Sequence, residues 1–193
     1  MKTTKKTRKQ RKTWFSEARF GVFVHWGLYS IPAVGEWTLL NQHIPFQEYR
    51  KLADQFNPKD FNPKSWVKLA KQAGAQYMVL TSRHHDGFSL FDSQVSDFTS
   101  TKTAAGRDFV AEYCKACRDA GLKVGLYYSL TDWRFPTHRK EKLINKAMGQ
   151  MRSYVREQIR ELCTNYGKID ILWYDGPFGL DERGITWKRK WPN

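Results

Sequence analysis

The segment Ile169-Asp170-Ile171-Leu172-Trp173-Tyr174-Asp175-Gly176 contains a short apolar run that ends at a carboxylate and a glycine. The run follows a long amphipathic helical pattern, which predicts a buried parallel strand over residues 169–174. Asp175 is then expected at the carboxyl end of that strand, where barrel enzymes keep their catalytic groups. This segment therefore predicts an α/β fold and the edge of the sheet that carries the chemistry.

Three earlier apolar runs predict strands near residues 19–24, 77–81 and 123–129. The first run leads into His25-Trp26-Gly27, and the second leads into Arg83-His84-His85-Asp86-Gly87-Phe88. Because the carboxyl ends of parallel strands meet at one edge of a sheet, we expect these two clusters and Asp175 to form a single site.

Amphipathic helical patterns separate the predicted strands. One begins at Asn62-Pro63 and ends at Gly74, a second is capped by Asp108 and ends at Gly121, and the longest spans about Lys140–Tyr166. Alternating strands and helices predict an α/β fold with about four parallel strands of a (β/α)8-type, TIM-like barrel. A complete barrel needs roughly 250 residues, so the 193 residues of this chain predict a partial barrel.

The formal net charge is +14, and seven of the Lys and Arg residues lie within residues 1–12. A basic segment without apolar periodicity predicts a disordered arm over residues 1–13, followed by one folded module over residues 14–193. The cluster Lys188-Arg189-Lys190 adds charge near the other end. Such segments can bind polyanions, but nucleic acid is not the partner that the rest of the chain predicts.

The three cysteines are Cys114, Cys117 and Cys163. The first two form a C-x-x-C that falls on the apolar face of a helical pattern, which favours buried packing over redox or zinc chemistry. An odd number of free thiols and the lack of an apolar leader predict a cytoplasmic protein. No apolar run approaches the length of a membrane span, so no membrane partner is expected.

Two pairs of residues near the predicted site are adjacent in sequence, so in an extended chain only one member of each pair can face the site. Successive residues of a strand point to opposite faces, so one of His84 and His85 and one of Tyr127 and Tyr128 should face the site unless a turn rotates them.

A metal site is the alternative interpretation of the histidines, but their spacing matches no metal-binding motif. We therefore expect no metal at this site. Neutral imidazole, phenol and indole groups around a carboxylate suit hydrogen bonding to sugar hydroxyls during glycoside hydrolysis, and aromatic residues make up 15% of the chain.

Five motifs occur in a set order: Phe15-Ser16-Glu17-Ala18-Arg19-Phe20-Gly21-Val22-Phe23-Val24-His25-Trp26-Gly27-Leu28-Tyr29-Ser30, Gly35-Glu36-Trp37, His84-His85-Asp86-Gly87-Phe88, Tyr127-Tyr128-Ser129 with Asp132-Trp133, and Leu172-Trp173-Tyr174-Asp175-Gly176. As a set they resemble the α-L-fucosidases of glycoside hydrolase family 29, over about residues 14–180. The resemblance implies a retaining exo-glycosidase that removes terminal α-L-fucose from glycoconjugates or oligosaccharides without a metal or cofactor.

The resemblance also implies roles for individual residues. Asp175 would be the nucleophile, with Trp173 beside it. The fucose pocket would be lined by His25, Glu36, Trp37, His84, His85 and Tyr127. The family's acid/base carboxylate generally comes from further along its longer barrel, so Glu36 is the best local candidate for that role. Weaker candidates are Asp86, Asp132, Asp181 and Glu182.

Three interpretations follow. The first is a fucosidase-type catalytic module, naturally short or truncated, that acts on a fucosylated glycan. The second is a non-catalytic or incomplete fucose-binding half-barrel that self-associates or needs a complementary half, because the open edges of a parallel sheet are otherwise exposed. The third, driven by the basic arm, is nucleic-acid binding.

Overall fold

The computed structural model describes residues 8–135 and 141–176, and the side-chain surroundings of residues 13–135 and 149–176. Four strands form one sheet in the order β1-β2-β3-β4, and every neighbouring pair is parallel. The strands are β1 (Gly21–Val24), β2 (Tyr77–Arg83), β3 (Lys123–Ser129) and β4 (Ile171–Asp175). The predicted parallel sheet is therefore confirmed, and each of the four predicted strands overlaps an observed one.

Helices precede the first strand and fill the connections between strands. They are α1 (Arg8–Ala18), α2 (Thr38–Asn41), α3 (Phe46–Arg50), α4 (Leu52–Gln55), α5 (Pro63–Gln72), α6 (Phe109–Asp119) and α7 (Glu141–Asn165), with a 3₁₀ turn at Leu28–Ser30.

The predicted capping residues of α5 and α6 are present. Asn62 Oδ1 accepts from the Lys64 N–H at 3.1 Å at the start of α5, and Asp108 Oδ1 accepts from the Ala111 N–H at 2.8 Å at the start of α6.

The outer face of the sheet packs against the helices and forms the core. Its side chains come from alternate positions of the strands, because successive residues point to opposite faces. They include Met78, Leu80, Val124, Leu126 and Tyr128, all buried. Cys114 and Cys117 of α6 join this core as buried free thiols, and burial raises their pKa values to about 12 and about 11. The C-x-x-C is thus apolar packing, as predicted.

The inner face of the sheet is strongly curved. Phe23 on β1 and Trp173 on β4 belong to the two outermost strands of the sheet, yet their ring centroids lie 5.3 Å apart. Gly125 of β3 is in register with Val79 of β2, and an added Cβ there would come within 2.7 Å of the Met78 carbonyl oxygen and a Val79 methyl. The missing side chain lets β2 and β3 bend together, so the sheet has the curvature of a partial barrel.

Helix α1 covers the amino end of the inner face. Trp14 and Phe15 contact the Tyr77 ring at centroid distances of 6.4 and 5.6 Å, and the Lys123 ammonium lies 5.8 Å from the Trp14 ring centroid. Tyr77 and Lys123 are the first residues of β2 and β3.

Residues 8–13 of the predicted arm lie within α1. Lysine, arginine and glutamine are good helix formers, and the aromatic contacts of the last turns anchor them to the sheet. The predicted first strand also begins later, at Gly21. Residues 1–7 of the arm and Lys188-Arg189-Lys190 lie outside the described residues. Among helices of the described chain, none is long and apolar enough to cross a membrane.

Candidate active site

Asp175 is the last residue of β4 and lies at the carboxyl edge of the sheet, in register with Ser129 of β3. Both of its carboxylate oxygens have a donor. The Tyr127 hydroxyl donates to Oδ2 at 2.8 Å, and the Gly176 N–H donates to Oδ1 at 2.6 Å. The side chain is nevertheless 51% exposed. The carboxylate is thus held in one orientation and open to a ligand, as a nucleophile must be.

A β-bulge brings both adjacent histidines to the site, which the strand pattern alone does not predict. Thr81 pairs with Tyr127 and Arg83 pairs with Tyr128, so Ser82 is an extra residue in β2. A bulge rotates the side chains that follow it. The His84 and His85 rings therefore lie side by side, with centroids 4.3 Å apart.

Tyr127 and Tyr128 behave as the strand alternation predicts. Tyr127 faces the site, where it meets Asp175, and its ring stacks on His84 at 5.6 Å with an interplanar angle of 11°. Tyr128 faces the helices, and its hydroxyl donates to Gln158 Oε1 of α7 at 2.8 Å.

The three site histidines meet around the mouth of the sheet. His25, which follows β1, lies 5.4 Å from the His84 ring and 5.1 Å from the Tyr127 ring. His85 Nε2 lies 3.9 Å from Asp175 Oδ2. His84 Nδ1 is buried and has no hydrogen-bond partner among the described residues. A buried polar atom without a partner is costly unless a ligand or water satisfies it.

Burial lowers the pKa of each of these histidines. The effect is largest for His84, whose pKa falls to about 2 with further repulsion from His85, His25 and Arg83. For His25 and His85 the same desolvation lowers the pKa, while the charges of Glu36 and Asp175 partly oppose it. All three rings are therefore neutral at pH 7 and can exchange hydrogen bonds with hydroxyl groups. No group of three or more His, Cys, Asp or Glu among the described residues could hold a metal ion.

Large aromatic side chains form one wall of the site. Phe23, Trp37 and Trp173 are 37%, 43% and 47% exposed, which is unusual for side chains of this size. Trp133 completes the wall, 5.3 Å from the Trp37 ring and 5.2 Å from the His85 ring. Exposed rings beside polar groups suit the mixed apolar and hydroxyl surface of a sugar.

The residue-by-residue expectations omit Phe23 and Trp133 from the site. Phe23 belongs to an apolar strand run, and nothing in its sequence context separates an inner-face residue from a core residue. The position of Trp133 does indicate a site residue, because it lies just after the third strand, at the same edge of the sheet as the other clusters.

Glu36 lies in the connection after β1 and is half-buried. Its negative charge raises the pKa of both His25 and His85 against the effect of burial, so it acts on two of the three site histidines.

The other described acid/base candidates have structural contacts instead. Asp86 is buried and accepts from the Tyr49 hydroxyl at 2.8 Å, and burial raises its pKa to about 6. Asp132 is buried between Arg83 and Arg134, with a 2.6 Å contact to each. Burial raises the pKa of Asp132, but the two guanidinium groups outweigh it and the net shift is downward. Asp181 and Glu182 lie outside the described residues.

Comparisons with known proteins agree with this geometry. A family model described as Alpha-L-fucosidase matches residues 1–191. Tissue alpha-L-fucosidase of Mus musculus is 36% identical over 182 residues, which are 85% of this chain and 40% of the mouse protein.

Solved structures show the same likeness. Alpha-L-fucosidase isoenzyme 1 of Paenibacillus thiaminolyticus matches with a TM-score of 0.80 and 44% identity, over 89% of this chain and 44% of that one. A family 29 enzyme of Bacteroides thetaiotaomicron, solved as a trapped covalent intermediate with 2-fluoro-fucosyl fluoride, matches with a TM-score of 0.81 and 34% identity, over 91% and 43%. This chain therefore spans about two fifths of the length of these relatives.

Proposed function

This chain belongs to the alpha-L-fucosidase family, and on that premise we propose that it supplies the nucleophile and sugar pocket for retaining hydrolysis of terminal α-L-fucose. The observation that carries the proposal is the setting of Asp175. Its carboxylate ends β4, accepts hydrogen bonds from Tyr127 and Gly176, and opens toward neutral histidines and exposed aromatic rings.

The chemistry takes two steps. Asp175 forms a bond to the anomeric carbon of fucose as the bond to the leaving oxygen breaks, and an acid donates a proton to that oxygen. Water then attacks the same carbon, gives its proton to the conjugate base, and releases fucose with Asp175 restored as a carboxylate. A covalent intermediate of this kind has been trapped in the relative from Bacteroides thetaiotaomicron.

The pocket recognises fucose by two kinds of contact. His25, His84 and His85 exchange hydrogen bonds with sugar hydroxyls, and the unpartnered Nδ1 of His84 supports a bound hydroxyl there. The exposed rings of Trp37 and Trp173 contact the apolar faces and the methyl group of the sugar.

We propose Glu36 as the local acid/base. Asp86 and Asp132 have buried structural partners, whereas the charge of Glu36 acts on the site histidines. A retaining mechanism places the two carboxyl groups about 5–5.5 Å apart, so the proposal requires Glu36 to act within that distance of Asp175.

The second candidate function is fucose binding without hydrolysis. It is favoured by the buried structural contacts of Asp86 and Asp132, which remove two of the candidate acid/base groups.

We further propose that the sheet is completed by a second copy of the chain or by a complementary half. Within residues 8–135 and 141–176, strands β1 and β4 are the edges of the sheet. The side chains of Phe20, Trp173 and Tyr174 at these edges are 49%, 47% and 48% exposed. Unpaired parallel edges with exposed aromatic rings favour association. Sedimentation velocity at tens of micromolar, an order-of-magnitude range for weak association, should show a dimer or larger species. A monodisperse, folded monomer would refute self-association.

Hydrolysis of an aryl α-L-fucoside tests the main proposal, because an aryl leaving group needs little protonation. Asp175→Gly should abolish turnover and leave fucose binding largely intact, and azide should restore part of the activity from the vacated space. Asp97→Gly is the matched control, since Asp97 is 79% exposed and pairs with Arg50 at the surface. A wild-type chain that binds fucose without hydrolysis would support the binding function, and one that does neither would overturn both.

A further inference from the structure

Ser129, the last residue of β3, makes two short contacts that fix its only proton. Its Oγ lies 2.6 Å from the Thr131 carbonyl oxygen and 2.6 Å from His85 Nδ1. A carbonyl oxygen can only accept a hydrogen bond, and two oxygens this close repel each other unless a proton lies between them. The Ser129 hydroxyl therefore donates to Thr131, and its oxygen accepts from His85.

We infer that Ser129 is a positioning residue that holds His85 as the Nδ1–H tautomer, so that its Nε2 faces the site as a hydrogen-bond acceptor. A neutral imidazole carries one proton, and Ser129 assigns it to Nδ1. The ring is neutral at pH 7 because burial lowers its pKa. Asp175 and Glu36 act in the opposite sense, and Arg83 and His25 reinforce the lowering.

The arrangement leaves two acceptors facing each other across the site. His85 Nε2 and Asp175 Oδ2 are 3.9 Å apart, too far for a direct hydrogen bond. A ligand that enters this gap must bring a donor. On the proposed function, that donor is a fucose hydroxyl, which gives its proton to Nε2.

Ser129 is itself held by the buried cation of β2. Arg83 donates from Nη1 to the Ser129 carbonyl oxygen at 2.7 Å and from Nη2 to the Thr131 carbonyl oxygen at 3.3 Å. Ser129 is fully buried. The hydroxyl thus has a rigid setting, which is what a group needs if it is to fix the orientation of a neighbouring ring.

Nitrogen NMR of the chain with isotope-labelled histidine tests the tautomer without using activity. The five histidines are assigned by single substitutions, including His85→Gln. At neutral pH we expect the His85 ring to carry its proton on Nδ1, and Ser129→Ala to shift the ring toward the Nε2–H form. Ser100→Ala is the control, because Ser100 is also buried and also donates to a backbone carbonyl, that of Arg107, at 2.7 Å. A wild-type ring that is Nε2–H or doubly protonated would overturn the inference.

Fucose binding gives the second measurement. Ser129→Ala should weaken the affinity about tenfold, the value of one well-placed hydrogen bond, whereas Ser100→Ala should not change it. Equal affinities for wild type and Ser129→Ala would refute the positioning role. If the chain binds no fucose at all, the proposed function fails, while the NMR measurement still decides the tautomer of His85.

Discussion

Removing the carboxylate of Asp132 should destabilise the fold more than removing a carboxylate at the surface. Asp132 is fully buried and accepts from Arg83 Nη2 at 2.6 Å, Arg134 Nη2 at 2.6 Å and Arg134 Nε at 2.9 Å. The Arg83 side chain is fully buried and that of Arg134 is 17% exposed. Asp132→Ala would leave two cations in the interior without a counter-charge. Breaking a buried pair costs about 3–5 kcal/mol, a large part of the roughly 5–15 kcal/mol that stabilises a domain.

Urea unfolding followed by tryptophan fluorescence measures this loss. Asp97→Ala breaks the exposed Arg50–Asp97 pair, whose side chains are 42% and 79% exposed, and should cost less than about 1 kcal/mol. A double substitution, Asp132→Leu with Arg83→Met, should recover part of the stability because it removes charge on both sides. If Asp132→Ala costs no more than Asp97→Ala, the buried cluster does not stabilise the fold.

Three further predictions concern the site. Trp37→Ala removes a ring that is 43% exposed, so it should weaken fucose binding about tenfold, as expected for a stacked aromatic contact, and calorimetry showing unchanged affinity would contradict it. The pKa of His84 falls from 6.5 unfolded to about 2 folded, so its contribution to stability is present above pH 6.5 and is lost as the pH falls. Between neutral pH and about pH 5, urea unfolding should show wild type losing about 2 kcal/mol more than His84→Gln, in which His25 and His85 still titrate. Gly176 has φ +74°, and a Cβ there would lie 2.5 Å from Thr131 Oγ1, so Gly176→Ala should impair aryl fucoside hydrolysis. Gly74 has φ +88° and open space around it, so Gly74→Ala should cost only the backbone strain of roughly 1–2 kcal/mol. Gly176→Ala should destabilise the fold by more than this. Equal effects of the two alanines in urea unfolding would refute the contact.

The sheet could be predicted from sequence because its signals are local. The pattern predicts the third strand over residues 123–129, and it is observed over Lys123–Ser129, since an apolar run stands between a helix-stopping glycine and polar residues. The fourth extends to Asp175, one residue beyond its predicted end. The parallel connections follow from the helices between the strands, whose capping residues Asn62 and Asp108 are local signals as well.

The remaining features depend on contacts between distant segments. The bulge at Ser82, which turns both His84 and His85 into the site, exists only in the pairing of β2 with β3. The buried Arg83–Asp132 pair could not be predicted, because charged residues in a sequence are normally assigned to the surface. The sequence does not predict helix α1, because its basic residues have no apolar period and the contacts of Trp14 and Phe15 with Tyr77 decide its position.

Covalent labelling is the most direct test of Asp175 as the nucleophile. The chain is incubated with 2-fluoro-fucosyl fluoride, the reagent in the trapped structure of the Bacteroides thetaiotaomicron relative, and digested for mass spectrometry. We expect one fluorofucosyl adduct on the peptide that contains Asp175, lost in Asp175→Gly and kept in Asp97→Gly. An adduct on another carboxylate, or a folded, fucose-binding chain that forms none, would contradict the assignment of Asp175.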